Sequence, residues 1–196
     1  CEMIGWNFVF EEYSVNLIAT ELSSQFMTHL STSIYLALLA VSPYIVVELF
    51  RFISPALYEN ERKYSKVVGI AVYGLFVIGV LISYYVIFPI SFRFLGTYQV
   101  ADAVVNNITL KSYISTFTTL TFVMGVVFQL PILAFFMAKL GVIDAEMMSR
   151  YRRYAFMLIL IVSAIITPPD IFTLILVSIP LYMLYEVSIW IVRNVH

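Results

Sequence analysis

Two long stretches without a charged residue constrain this chain more than any other feature. The stretch from Val67 to Phe92 has 26 residues and the stretch from Ser112 to Ala138 has 27, and neither contains Asp, Glu, Lys or Arg. A helix needs roughly 20 mostly apolar residues to cross about 30 Å of hydrocarbon. Each stretch is therefore long enough to form a membrane-spanning helix.

The composition of the whole chain points to the same environment. Hydrophobic residues make up 62% of its 196 positions, charged residues make up 12%, and the mean hydropathy is +0.95. A soluble domain carries about a quarter charged residues. The net charge of −1 argues against nucleic acid as a partner. One Cys and two His cannot build a disulfide framework or a Cys/His metal site, so no metal or cofactor is expected.

We predict an all-α, polytopic helix bundle that forms one membrane domain over residues 1–196. Five transmembrane helices are expected at 26–50, 66–92, 111–138, 153–167 and 171–192, preceded by a periplasmic segment over 1–25. The fourth of these helices is short. The sequence Thr167-Pro168-Pro169-Asp170 after it predicts a hairpin turn, because tandem prolines break a helix and Asp favours a helix N-cap. Kinks are expected at three other prolines, Pro43, Pro89 and Pro180.

The distribution of Lys and Arg predicts the orientation of the helices. Nine of the eleven basic residues lie in the loops 51–66 and 139–153 or in the C-terminal tail. By the positive-inside rule these loops and the C-terminus are cytoplasmic, in a bacterial or organellar inner membrane. An odd number of helices with an outer start suggests that one earlier helix is missing. The parent protein would then have six spans with both ends in the cytoplasm.

Polar side chains inside the predicted helices are candidates for function. Gln129 precedes Pro131, which leaves one backbone carbonyl without its usual donor. Gln129 either satisfies that carbonyl or a neighbouring helix, or it is a polar docking point for a partner's transmembrane helix. Glu48 either reaches the cytoplasmic interface near Arg51 or faces a partner or water inside the membrane. Glu186 is expected to be solvated at the cytoplasmic interface.

The loop from Phe50 to Lys63 presents acidic residues on an otherwise basic side. Glu59 and Glu61 could bind an arginine ligand, because a carboxylate can accept two parallel hydrogen bonds from a guanidinium. The alternative is that both pair with Arg62 and the neighbouring lysines on a solvated loop. The sequence contains no nucleophile–base motif and no glycine-rich phosphate loop, and no enzymatic activity is expected.

Four segments of the chain resemble the TatC family of twin-arginine translocase receptors. Residues 52–62 read F-I-S-P-A-L-Y-E-N-E-R and resemble the family's first cytoplasmic loop, F-I-x-P-A/G-L-x-x-x-E-R/K. Residues 88–94 resemble the end of its third helix, residues 125–131 its fourth helix, and residues 167–170 its last hairpin. The four segments agree with the family in order and spacing across residues 17–192.

The resemblance implies a six-helix, cup-shaped receptor with short fifth and sixth helices. It implies that the receptor recognises folded proteins that carry a twin-arginine signal peptide. Glu61 would contact the twin-arginine motif, and Arg62, Phe52 and Pro55 would belong to the same binding loop. Asp170 would be a functionally sensitive residue at the outer end of the hairpin.

The same resemblance implies partners in the membrane. TatA- and TatB-type single-span proteins would bind the receptor in a homo- or hetero-oligomer within the lipid bilayer. Polar points such as Gln129 and Thr167 would recruit their helices.

The chain departs from the family pattern at three places. The fourth-helix position that is often Glu in the family is Gln129, and a position that is Gln in some relatives is Glu48. One hypothesis is that the intramembrane carboxylate has moved between helices that share a polar cavity. The first helix and the H-L-x-E-L-R-x-R motif before it are absent from this sequence. The alternative function is a secondary transporter with a polar site at Glu48 and Gln129, although transporters usually show two related halves and this sequence shows no repeat.

Overall fold

The computed structural model describes residues 17–18, 23–53, 65–97 and 108–194. Within these residues the fold is all-α, as predicted, and the helices are α1 (Ser24–Ile53), α2 (Ser65–Ile82), α3 (Phe88–Thr97), α4 (Leu110–Val127), α5 (Leu130–Lys139), α6 (Ala145–Arg150), α7 (Arg152–Ile166) and α8 (Ile171–Arg193). A π turn over Ser83–Ile87 joins α2 to α3. Two short strands, β1 (Leu17–Ile18) and β2 (Ile108–Thr109), pair in parallel and were not predicted.

Four helical segments of the described chain are long and apolar enough to cross a membrane, namely Ser24–Glu48, Val68–Gly96, Leu110–Lys139 and Ile171–Arg193. The fifth apolar helix, α7, has 15 residues and is about 22 Å long. The resemblance implied that the last two helices are both short. α7 is short, whereas α8 has 23 residues and is long enough to cross.

The helix ends define two ends of the bundle. At the basic end α5 and α8 finish, with Lys139 and Arg193, and Arg150, Arg152 and Arg153 lie near this end on the segment that leads into α7. Ala138 at the end of α5 packs in one cluster with Val192 at the end of α8. The opposite end, called the turn end, carries the two strands and the turn over residues 167–170.

The main core lies between the π turn and helices α3, α4, α7 and α8. Its buried residues are Ile87, Phe88, Leu120, Met124, Phe128, Ile159, Val177, Leu181 and Leu184. Phe88 makes edge-to-face contacts with Tyr113 and Phe117, with ring centroids 5.2 Å and 4.9 Å apart. Such contacts add to the stabilisation that area burial alone provides. The core therefore fixes the hairpin of α7 and α8 against α4.

Pro89 explains why a π turn interrupts the helix between Ser65 and Thr97. A proline inside a helix lacks one hydrogen-bond donor, and its ring collides with the carbonyl four residues earlier. The Phe88 N–H donates to the Ser83 carbonyl five residues before it, so the turn ahead of Pro89 holds one extra residue. The extra residue gives the proline ring room. The feature predicted as a kink at Pro89 is a π-bulge.

A break separates α4 from α5, within the helix predicted over 111–138. The Gln129 N–H donates to the Val126 carbonyl at 3.0 Å, three residues earlier, and α5 then begins at Leu130. Pro131 lies in the first turn of α5, where a missing N–H leaves no hydrogen bond unmade. The predicted single helix is therefore two helices that together make one crossing.

Two glycines let α2 and α4 approach each other closely. A Cβ on Gly79 would lie 2.7 Å from the Met124 carbonyl oxygen and 2.9 Å from Cγ of Phe128. A Cβ on Gly125 would lie 2.7 Å from Cε2 of Phe76. At Gly79 the clash is with backbone, so a larger residue does not fit without moving a helix, whereas at Gly125 the Phe76 ring would have to shift. The backbones of α2 and α4 therefore touch at Gly79, as small residues permit in membrane helix pairs.

Replacing Gly79 with alanine is expected to destabilise the bundle by about 1–3 kcal/mol, because the added methyl group meets backbone that cannot move aside. The matched control is Gly74→Ala on the same helix, where an added Cβ meets no atom within 4 Å. The measurement is the fraction of detergent-solubilised protein that stays monodisperse after heating. Equal heat resistance of the two variants would contradict the close contact between α2 and α4.

Candidate functional site

Gln129 lies at the break between α4 and α5, ten residues before the membrane crossing Leu110–Lys139 ends. It is buried, with 7% of its surface exposed. Phe128 and Gln129 have backbone angles near the helical region but form a turn, since the Gln129 N–H bonds three residues back instead of four. The Gly125 carbonyl, four residues before Gln129, is thereby released from its usual main-chain donor.

The Gln129 side chain joins α4 to α2. Its Nε2 donates to the Val72 carbonyl on α2 at 3.2 Å and to the Gly125 carbonyl at 3.4 Å. Its Oε1 is buried and accepts no hydrogen bond within the described part of the chain. The amide thus bonds a neighbouring helix through its nitrogen, and its oxygen remains available as an acceptor. A buried amide oxygen inside a membrane-spanning segment is costly without a hydrogen bond, so Oε1 favours a hydrogen bond from a donor outside the described residues.

Glu48 lies on α1, next in sequence to two residues that pack against the cluster containing Val72. Its neighbours Val46 and Val47 pack against a buried cluster of Val72, Ile132 and Phe136, which α2 and α5 contribute. Glu48 is half-buried and engaged in an interaction of its own. Val72, whose carbonyl accepts from Gln129, is a member of this cluster. Glu48 and Gln129 therefore flank one apolar cluster on three helices.

The predicted hairpin turn lies between α7 and α8. The Thr167 hydroxyl is buried and donates to the Ser163 carbonyl at 2.8 Å, which also accepts from the Thr167 N–H at 2.9 Å. Asp170 is the N-cap of α8, and its Oδ1 accepts from the Thr173 N–H at 2.6 Å. Pro168 and Pro169 carry the chain between these two caps, and the Pro168 carbonyl accepts from the Asp170 N–H at 2.7 Å.

The cap explains why an acidic residue suits this position of the turn. A carboxylate at a helix N-terminus satisfies a backbone N–H and is stabilised by the positive end of the helix dipole. Phe172, in the first turn of α8, stacks on Phe94 of α3, with ring centroids 4.1 Å apart. Asp170 therefore starts α8 at the place where α8 meets α3.

Sequence reasoning missed an ion pair at the other end of the hairpin. Arg152 Nη2 lies 2.9 Å from Glu186 Oε2, and the Tyr182 hydroxyl donates to Glu186 Oε1 at 3.0 Å. Glu186 was expected to be merely solvated at the interface. A signal was present, because Arg152 and Glu186 lie at similar distances from the turn and face each other once α7 and α8 fold back.

The acidic loop lies outside the described residues for the most part. Pro55, Glu61 and Arg62 are not among the described residues, and Phe52 lies in the last turn of α1. Within the described part of the chain, no group of three or more His, Cys, Asp and Glu side chains could hold a metal ion. Of the polar groups predicted to recruit a partner, the Gln129 Oε1 is buried without a hydrogen-bond partner among the described residues, and the buried Thr167 hydroxyl bonds within α7.

Comparisons with known proteins agree on one family. The family described as Sec-independent protein translocase protein (TatC) matches residues 3–180. A relative of that name from Helicobacter pylori is 38% identical over 195 residues, which covers 97% of this chain and 77% of that protein. Another of that name, from Blattabacterium, is 35% identical over 94% of this chain and 70% of that protein.

A solved structure supports the same assignment. The crystal structure of a twin-arginine translocase receptor, TatC, superposes with a TM-score of 0.83 at 28% sequence identity. The superposition covers 96% of this chain and 82% of the crystallised chain. The agreement therefore extends over nearly the whole sequence.

Proposed function

This chain belongs to the TatC family of Sec-independent protein translocases, and we propose that it is the receptor subunit that binds twin-arginine signal peptides of folded proteins. The observation that carries the proposal is the superposition on a twin-arginine translocase receptor over 96% of the chain. The chain is a multi-pass membrane protein, and its part in export is recognition and assembly, without covalent chemistry.

The orientation follows from the charges. The basic end faces the cytoplasm, since loops rich in Lys and Arg stay on that side of the membrane. α1 ends and α2 begins at that end as well, so we assign the segment between them, with Glu61, to the cytoplasmic side. Signal peptides of proteins awaiting export approach from the cytoplasm. The acidic loop is thus on the side on which an arginine ligand arrives.

Signal-peptide binding is assigned to the first loop, with Glu61 as the arginine acceptor. A carboxylate near the membrane surface binds a guanidinium more strongly than it would in bulk water, because the local dielectric constant is lower. Arg62, Phe52 and Pro55 belong to the loop segment that resembles the family motif. Pro55 limits the conformations of the loop and so reduces the entropy lost on binding.

Partner recruitment is assigned to Gln129 and to the hairpin turn at Thr167. The exposed residues Val126, Leu130 and Leu133 lie within four residues of Gln129 and give a partner helix an apolar surface on α4 and α5. A single-span helix of the TatA or TatB type that packs on this surface would reach the buried, unpartnered Oε1 once the Gln129 side chain turns outward. Since Gln129 is uncharged, the contact is a hydrogen bond and needs no carboxylate.

A secondary transporter is the second candidate, and one observation favours it. The break at Gln129 is a discontinuous helix with a free acceptor inside the membrane, which is how transporters commonly build ion sites. The match to TatC relatives over nearly the whole chain favours the receptor. Uptake of a small solute by vesicles containing the protein would support the transporter.

The signal-peptide site is tested by photo-crosslinking in membranes. With a photoreactive residue at Tyr58, the protein is expected to form adducts with an Arg-Arg signal peptide and not with its Lys-Lys counterpart. Glu61→Ala is expected to lower adduct yield on the order of tenfold or more, the loss expected for one charged hydrogen-bonded pair. Glu59→Ala is the matched control and is expected to keep most of the yield. Equal adducts with both peptides would contradict the proposed receptor.

The partner site is tested with a photoreactive residue at Leu133. Gln129→Leu keeps the volume of the side chain and removes both hydrogen-bonding groups. It is expected to lower crosslinking to a single-span partner by about threefold or more, as lost interhelical hydrogen bonds do. Gln129→Glu retains an acceptor and is expected to keep the crosslink. Unchanged crosslinking in a stably folded Gln129→Leu variant would show that partners dock elsewhere.

A further inference from the structure

Helix α7 begins deeper in the bundle, further from the basic end, than the residues at which α5 and α8 end. The ion pair of Arg152 with Glu186 sets the first turn of α7 level with Glu186 on α8. α8 continues for seven residues beyond Glu186, to Arg193, which is about 10 Å of helix. Since α5 and α8 end together at Ala138 and Val192, α7 starts about 10 Å short of the basic end.

The short helix α6 fills this step. Its first residue, Ala145, packs at the level of Val192, and the Met148 carbonyl accepts from the Tyr185 hydroxyl at 2.8 Å. The chain therefore runs along the last turns of α8 and deeper into the bundle before α7 begins. Arg150 and Arg153 flank the junction of α6 and α7 and are placed at this deeper level.

Two arginines at the junction form no ion pair within the described chain, although Glu146 lies one turn before Arg150 on α6. Glu186 is occupied by Arg152 and Tyr182. Arg150 and Arg153 are exposed and form no ion pair with another residue of the described chain. The first turn of α7 contains no acidic residue, and its N-cap, Tyr151, makes no side-chain cap. Cations at a helix N-terminus oppose the helix dipole, so this end of α7 favours an anion.

The surroundings identify the source of the anion. The side chains that follow on α7 are apolar and strongly exposed, among them Met157, Leu158 and Ile161. This face is covered by lipid chains when the protein is in the membrane, and the tyrosine rings of Tyr151 and Tyr154, 5.9 Å apart, lie at the interface above it. Lipids that cover the α7 face therefore have their headgroups beside Arg150 and Arg153.

We propose that Arg150 and Arg153, set inward at the junction of α6 and α7, bind the headgroup of an anionic phospholipid against the start of α7. Two guanidinium groups complement a phosphate group with a net negative charge, and they attract zwitterionic lipids less. Tyr151 and Tyr154 hold the glycerol region by their amphipathic rings. The site does not depend on signal-peptide binding and is measured without it.

A single tryptophan reports on this site. Ile161 is exposed on α7 and lies eight residues, about 12 Å of helix, after Arg153 on the face that lipid chains cover, so Ile161→Trp supplies the reporter. Trp6→Phe and Trp190→Phe in the same protein leave this reporter as the only tryptophan, since the chain has two. The protein is reconstituted into phosphatidylcholine vesicles that contain a minor fraction of brominated lipid, either phosphatidylglycerol or phosphatidylcholine. Bromine in the lipid chains quenches the fluorescence of a tryptophan that it contacts.

Brominated phosphatidylglycerol is expected to quench the tryptophan of the Ile161→Trp reporter more strongly than brominated phosphatidylcholine at the same mole fraction. Arg150→Gln and Arg153→Gln are each expected to lower this preference by about two- to fivefold, and the double variant is expected to abolish it. Lys111→Gln, at the turn end, is the matched control and is expected to keep it. The single variants remain decisive should the double variant not fold.

Two results would overturn the proposal. One is equal quenching of the parent protein by the two brominated lipids. The other is that both single variants keep the full preference for phosphatidylglycerol, while brominated phosphatidylcholine quenches them as strongly as it quenches the parent protein.

Discussion

The close contact between α2 and α4 is the interaction on which the rest of this bundle depends. Gly79 faces Met124 and Phe128, Phe76 covers Gly125, and the Val72 carbonyl accepts from Gln129. The order of these contacts shows two antiparallel helices that meet over about two turns. Because the backbones touch, a glutamine side chain on one helix is able to reach a main-chain carbonyl of the other.

Two prolines interrupt the long helices, and each interruption is accommodated within the described backbone. Pro89 is preceded by a π turn, and Pro131 lies in the first turn of a new helix, where its missing N–H leaves no bond broken. Such solutions are needed because an unsatisfied backbone group in hydrocarbon costs several kcal/mol. The break at Pro131 places Gln129 in the membrane interior with one free acceptor. Local backbone chemistry thus creates the polar site proposed for partner helices.

The helical class and the family could be predicted from the sequence because a bilayer demands long charge-free runs and because the motifs stand in order. The finer features could not. All faces of a helix such as α2 are apolar, so periodicity does not reveal which face meets α4, and the Gly79 contact stayed hidden. A proline indicates a distortion but not its form, which is a π turn at Pro89. The pairing of Arg152 with Glu186 required the register of α7 and α8.

The account as a whole describes a receptor that works by hydrogen bonds and charge at the membrane surface. Its central claim is that this chain supports export only of proteins that carry an arginine pair in their signal peptide. The most direct measurement follows a folded fluorescent protein in a bacterium whose own TatC is replaced by this chain and its partner subunits. The account predicts fluorescence in the periplasm with an Arg-Arg signal peptide and in the cytoplasm with a Lys-Lys one. Equal distribution with both peptides, from a chain that is stably inserted, would contradict it.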